Sequence, residues 1–138
     1  MKRIITYGTY DLLHFGHINF LNRAKELGDY LIVGLADEEY NLAHSKKRCY
    51  FSFEERKFML EAIKYVDLVI PQLYGRDKIK EIVEYNIDLC VMGEDWSGKF
   101  DFLKEVCEVV YIQRRSNGLR EMSTTKIKND LSQLQNIK

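Results

Sequence analysis

Proline is nearly absent from this chain: Pro71 is the only one in 138 residues. Histidine is scarce, with three copies, and tryptophan occurs once, as Trp96. The cysteines, Cys49, Cys90 and Cys107, are odd in number and show no CxxC or CxxH spacing. That excludes a disulfide framework and a zinc ribbon, and it points to reduced thiols in a cytoplasmic protein. Neither sign of charge prevails, since 21 Lys and Arg face 21 Asp and Glu. Domains that bind nucleic acid usually carry a basic surplus, so nucleic acid is not an expected partner, although a local basic pocket stays open. No run approaches the roughly eighteen apolar residues of a membrane span, so no membrane partner is expected either. The start, MKRIITYGTYD, is basic, but its apolar stretch is too short for a secretion signal and runs into Asp11. Internal repeats, low-complexity tracts and linkers are also missing, and the expectation is one domain over 1–138.

What is present is an alternation of short apolar runs and helical patterns. RIITY (3–7), YLIVGLA (30–36), DLVIPQ, DLCVMG (88–93) and EVVYIQ (108–113) read as five strands. YLIVGLA is apolar throughout, the pattern of a strand buried on both faces. Cys90 in DLCVMG belongs to the core. Between the strands, HINFLNRAKEL places Ile18, Leu21, Ala24 and Leu27 on one helical face and stops at Gly28. Ser52 and Glu55 form a capping box that opens a helix along FEERKFMLEAIKY. GRDKIKEIVEYN, KFDFLKEV and STTKIKNDLSQLQ are further helices, the last capped by Ser123 or Thr124. DEEYNLAHSKKRCYF has no clear period and reads as a loop. Strands alternating with helices predict a doubly wound, Rossmann-like α/β domain with a five-stranded parallel sheet.

In such a sheet, ligands bind outside the carboxyl ends of the strands. The exits are GTYDLLHFGH, ADEEYN, PQLYG, GEDWSG and QRRSNGLREMSTT. A dinucleotide fingerprint is excluded, because Gly8 and Gly16 are too far apart. GEDWSGK fits GxxxxGK after a strand, but Phe100 stands where a hydroxyl must hold the metal, and Glu94 and Asp95 would repel a phosphate. It reads instead as a polar turn with Gly98 at a tight bend, or as a turn whose Asp95 and Trp96 recognise a base. In the first exit, His14 and His17 flank Gly16 where a helix should begin. Free N–H groups of a helix start form an anion site, and two imidazoles add donors for charge on a phosphoryl oxygen. Gly8 leaves room for close approach to the backbone. Two histidines without a third ligand are too few for zinc.

These residues carry a resemblance. GTYDLLHFGH is similar to the GTFD and HxGH signature of the cytidylyltransferase family of nucleotidyltransferases, and STTKI to its second signature. Within it, the chain resembles the small bacterial glycerol-3-phosphate cytidylyltransferases, which have VITYGTFDLLHWGH and VMGDDWEGKFDFL where this chain has IITYGTYDLLHFGH and VMGEDWSGKFDFL. The resemblance implies CMP transfer from CTP to a small phosphorylated acceptor, with pyrophosphate released and no covalent intermediate. It implies that His14 and His17 stabilise the α-phosphate transition state, and that Lys46 and Arg114 act beside them. Thr9, Tyr10, Gly16, Ser123, Thr124 and Thr125 would hold the phosphates, and Gly93, Asp95 and Trp96 the cytosine. Magnesium would neutralise the triphosphate, with Asp11 as a metal ligand or as the cap of its own turn.

The acceptor side departs from the family pattern. His44 stands where the family has a lysine, while Lys78 and Arg56 keep family positions. KKRCYFSF is one residue longer, and RRSNGLREMSTT about four residues longer than RTEGISTT, which brings Arg120 and Glu121 to the mouth. Those two charges suit an acceptor with carboxylate and amine, such as glutamine phosphate, or are a solvated loop tip. Other readings are an adenylyltransferase of the same superfamily and a nucleotide-binding sensor or scaffold. The resemblance further implies a homodimer, a cytoplasmic enzyme and a CDP-activated product for a cell-surface polymer.

Overall fold

A computed structural model describes residues 1–44, 48–113 and 122–135. Five parallel strands are β1 (Arg3–Gly8), β2 (Tyr30–Ala36), β3 (Leu68–Gln72), β4 (Leu89–Gly93) and β5 (Glu108–Ile112), in the order β3-β2-β1-β4-β5. The predicted sheet is therefore present. The chain winds outward from β1 in both directions, so the reversal of strand order lies at the β1–β4 boundary. Strand alternation divides the core. Ile4, Leu31, Val33, Leu89 and Val91 face one cluster with Leu21, Ala24 and Leu60, while Ile5, Ile32, Cys90 and Met92 face the other with Ile82 and Leu103. Burial pushes the Cys90 thiol up to about 12, so it is an inert core residue.

The helices are α1 (Phe15–Glu26), α2 (Glu38–His44), α3 (Phe53–Glu61), α4 (Lys78–Glu84) and α5 (Thr124–Gln135). The Ser52–Glu55 box is formed: Ser52 Oγ accepts the Glu55 N–H at 3.2 Å, and Glu55 Oε1 accepts the Ser52 N–H at 2.9 Å. Asp77 caps α4 by accepting the Ile79 N–H. Ser123 Oγ accepts the Lys126 N–H at 3.0 Å and starts α5. Three expectations need correction. The stretch after β2, expected as a loop, begins with α2: Asp37 Oδ1 accepts the Tyr40 N–H, and Asn41 is the residue this helix buries. A polar inward residue on a two-turn helix leaves no apolar period to read. In α1, Leu21 and Ala24 are buried, but Ile18 and Leu27 are 38% and 40% exposed, because the inward stripe also runs through Phe20. KFDFLKEV forms only a 3₁₀ turn over Asp101–Glu105.

Candidate active site

The first strand ends in a segment with two residues in the left-handed region, Tyr10 (φ 51°) and Leu12 (φ 49°). Side chains other than glycine rarely adopt this conformation, and it costs about 1–3 kcal/mol per residue. Tertiary bonds hold it. Asp11, between the two, accepts the Tyr50 N–H at Oδ2 (2.7 Å) and the Phe51 N–H at Oδ1 (3.0 Å), and its carbonyl accepts the Thr124 hydroxyl at 2.7 Å. Gly8 makes room for the turn in a different way from that expected. A Cβ there would stand 2.6 Å from the Tyr10 ring, so the space belongs to Tyr10.

Helix α1 then begins with an unusual cap. His14 is its N-cap; its Nδ1 accepts the Gly16 N–H at 3.0 Å, and His17 Nδ1 accepts the His14 N–H at 3.2 Å. The pair forms a capping box with imidazoles where serine and glutamate usually stand. The rings stack at 3.8 Å and 24°, and the Tyr10 ring meets His17 edge-on at 5.3 Å. A Cβ on Gly16 would lie 2.8 Å from the His14 ring, so the site requires glycine there. The hydrogen-bond pattern assigns the tautomer: a neutral imidazole that accepts at Nδ1 carries its proton on Nε2. Both rings are thus built as Nε2–H donors.

A cavity of about 370 Å³ opens over this pair at the carboxyl ends of the strands. It brings together eleven residues expected from sequence. The β1 exit supplies Thr9 and Tyr10; α1 supplies His14, Gly16 and His17; the β4 exit supplies Gly93, Asp95 and Trp96; and the start of α5 supplies Ser123, Thr124 and Thr125. Trp96 is half exposed and edge-on to Phe100, and Gly98 makes the tight bend at φ 83°. Two of the three hydroxyls already serve the scaffold, since Ser123 caps α5 and Thr124 ties it to Asp11. The start of a helix also leaves first-turn backbone N–H groups that can face an anion.

Sequence reading missed Asn19, Phe20 and Arg23 of α1, and Gln113 and Met122, which also line the cavity. Gly16, Asn19 and Arg23 share one helical face at three- and four-residue steps, and that spacing was the available signal. The Arg23 guanidinium donates to the Gln113 carbonyl at the end of β5.

The residues assigned to the acceptor are placed differently. Lys78 Nζ donates to Tyr40 Oη at 3.1 Å, and His44 stacks on Tyr40 at 4.0 Å, so these two meet beside the cavity rather than in its lining. Arg56 does not face a ligand. Its side chain is 0% exposed, and the guanidinium donates to the carbonyls of Thr9 (2.8 Å), Ala36 (2.8 Å) and Phe51 (3.2 Å) and to Glu38 Oε1 (3.3 Å). It clamps the β1 and β2 exits to α2 and α3. Asp11 likewise has a structural task, because both its oxygens accept backbone N–H groups and Lys128 stands 3.7 Å away. Among the described residues no group of three or more His, Cys, Asp and Glu is arranged to hold a metal. Lys46, Arg114 and Arg120 lie outside the described residues.

The profile of the cytidylyltransferase-like family matches residues 5–132. The chain belongs to this family. Glycerol-3-phosphate cytidylyltransferase of Bacillus subtilis (strain 168) is 54% identical over 134 residues, which is 97% of this chain and 100% of that one. Ethanolamine-phosphate cytidylyltransferase of Mus musculus is 41% identical over 93 residues, 67% of this cytidylyltransferase-like chain and 23% of the mouse protein. Among solved structures, the lipopolysaccharide core biosynthesis protein from Thermoplasma volcanium GSS1 superposes with a TM-score of 0.73 at 27% identity, covering 83% of this chain and 98% of that one. No described helix is long and apolar enough to cross a membrane.

Proposed function

We propose that this chain is a CTP-dependent cytidylyltransferase that moves CMP onto glycerol-3-phosphate and releases pyrophosphate. The observation that carries this reading is the stacked His14–His17 pair in the cavity lining, whose Nδ1 atoms accept backbone N–H groups and so leave the ring protons on Nε2. An acceptor phosphate oxygen attacks the α-phosphorus as the bridging oxygen to pyrophosphate leaves. Charge grows on the oxygens around that phosphorus and on the departing one, and fixed donors there lower the barrier without reorganisation. The first turn of α5 offers N–H groups to the β- and γ-phosphates, and Asp95 and Trp96 stand at the β4 exit for the base. Magnesium enters with the triphosphate, as the substrate Mg–CTP. Lys46 and Arg114 belong to the same reading through the resemblance.

The near-complete match to a glycerol-3-phosphate enzyme supports that acceptor. A second reading keeps CTP and changes the acceptor, because His44 replaces a family lysine and the 114–122 stretch is longer. By the same resemblance the enzyme is a cytoplasmic homodimer whose CDP-activated product feeds a surface polymer. Pyrophosphate release with Mg–CTP and one acceptor at a time is the test, with glycerol-3-phosphate, ribitol phosphate, phosphocholine and glutamine phosphate as the panel. Fast release with glycerol-3-phosphate is the expected result. Turnover with another acceptor alone would replace the substrate, and release with ATP but not CTP would replace the donor.

A further inference from the structure

Lys78 opens α4 with its side chain against two tyrosines. Its Nζ lies 5.3 Å from the centroid of the Tyr7 ring and 5.1 Å from that of Tyr40, and it donates to Tyr40 Oη at 3.1 Å. Both distances are within cation–π range. The Tyr7 ring is fixed from behind. It crosses Gly34, where a Cβ would stand 2.4 Å away, and its hydroxyl donates to the buried carboxylate of Glu81 at 2.8 Å. Tyr40 is fixed by the His44 ring stacked on it at 4.0 Å and 5°. The result is a site shaped for an ammonium, with two ring systems, a phenol oxygen and a carboxylate behind, and the chain's own ammonium fills it.

This site adjoins the cavity. Tyr7 lines both, and Asn41, next to Tyr40, accepts the Thr9 hydroxyl at 2.8 Å. Topology places it on the half of the sheet where β2 and β3 exit, while Trp96 and Ser123–Thr125 follow β4 and β5. A nucleotide across the β1, β4 and β5 exits therefore leaves this half for the second substrate.

We propose that Lys78 selects against acceptors that carry an ammonium of their own, by occupying with its ammonium the Tyr7–Tyr40 site where such a group would sit. Acceptors with a neutral polyol or anionic tail are admitted and an aminoalkyl phosphate is refused. The inference rests on the reading that this chain transfers a cytidylyl group to a phosphorylated acceptor. It adds to a simple phosphate-holding lysine a repulsive element and an aromatic site that removal of the lysine would vacate.

Lys78→Met separates the two. Pyrophosphate release from Mg–CTP is measured with glycerol-3-phosphate and with phosphoethanolamine, for wild type and variant. Lys78→Met is expected to lose at least about tenfold in kcat/KM with glycerol-3-phosphate and to gain at least about fivefold with phosphoethanolamine, the scale of one cation–π contact. Tyr40→Phe keeps the ring but removes the oxygen that holds Nζ, and it should show a smaller gain of the same sign. It also serves should Lys78→Met fold poorly. A fall with both acceptors in both variants would leave Lys78 an ordinary anion-holding residue and overturn the proposal. If the wild-type protein turns over no acceptor with CTP, the reading beneath has failed instead, and this selectivity falls with it.

Discussion

The two halves of the cavity are built in different ways. On the β1–α1 side, the side chains are held by main-chain groups: His14 accepts the Gly16 N–H, His17 accepts the His14 N–H, and Asp11 accepts those of Tyr50 and Phe51. On the α2 side, side chains hold one another, as Lys78 on Tyr40, His44 on Tyr40 and Tyr7 on Glu81. Backbone-held groups are fixed by the fold and shift little when one neighbour changes. A chain of side-chain contacts can be rewired by single substitutions. Of the departures from the family pattern, His44 falls on the second kind of scaffold.

The contrast yields measurements of decreasing size. His17→Ala should lower kcat by about 10²–10³, the cost of one lost transition-state donor, while CTP still binds in a calorimeter. Near-wild-type turnover would remove the assigned role. Arg56→Met should cost about 3 kcal/mol of stability in urea, because four oxygen acceptors lose their buried partner. An unchanged midpoint with a raised KM for the acceptor would return Arg56 to the ligand site. Asp11→Asn should cost about 1–2 kcal/mol and leave the magnesium dependence of the rate where it was. A shifted magnesium requirement would make Asp11 a ligand after all.

Glu81 gives the smallest and most directional effect. Burial raises its carboxyl above the ordinary value of 4.5, against the pull of Tyr7 and Arg76. A raised folded-state value means that the carboxyl favours folding while protonated and loses that contribution as pH climbs through the folded value. The stability of wild type relative to Glu81→Gln should therefore fall as pH rises from 4.5, then level off. A difference that grows with pH would mean that the Arg76 pair outweighs burial.

Much of this was legible in the sequence. Strands buried on both faces write continuous apolar runs, and Ser52 with Glu55 writes a capping box, so sheet and helix starts could be read directly. The strand-exit rule then gathered eleven of the cavity residues. Helix α2 was illegible because its inward residue is Asn41, whose partners Thr9 and Cys49 are distant in sequence or in the next loop. Arg56 was read as a ligand because it keeps a family position. Only the folded chain shows three carbonyls converging on it. Arg23 was overlooked because α1 was judged by its apolar residues alone.

The imidazole caps of α1 have a consequence for populations. An imidazole turned over by 180° presents carbon where Nδ1 should accept, and so cannot cap. One lost cap costs about 1 kcal/mol, which depletes the turned ring about fivefold. The two rings are also in contact at 3.8 Å, so an error in one disturbs the seat of the other. Forming the helix start thereby sorts the side-chain orientations, and molecules that have a well-formed first turn of α1 are also those whose two Nε2–H groups are ready to donate.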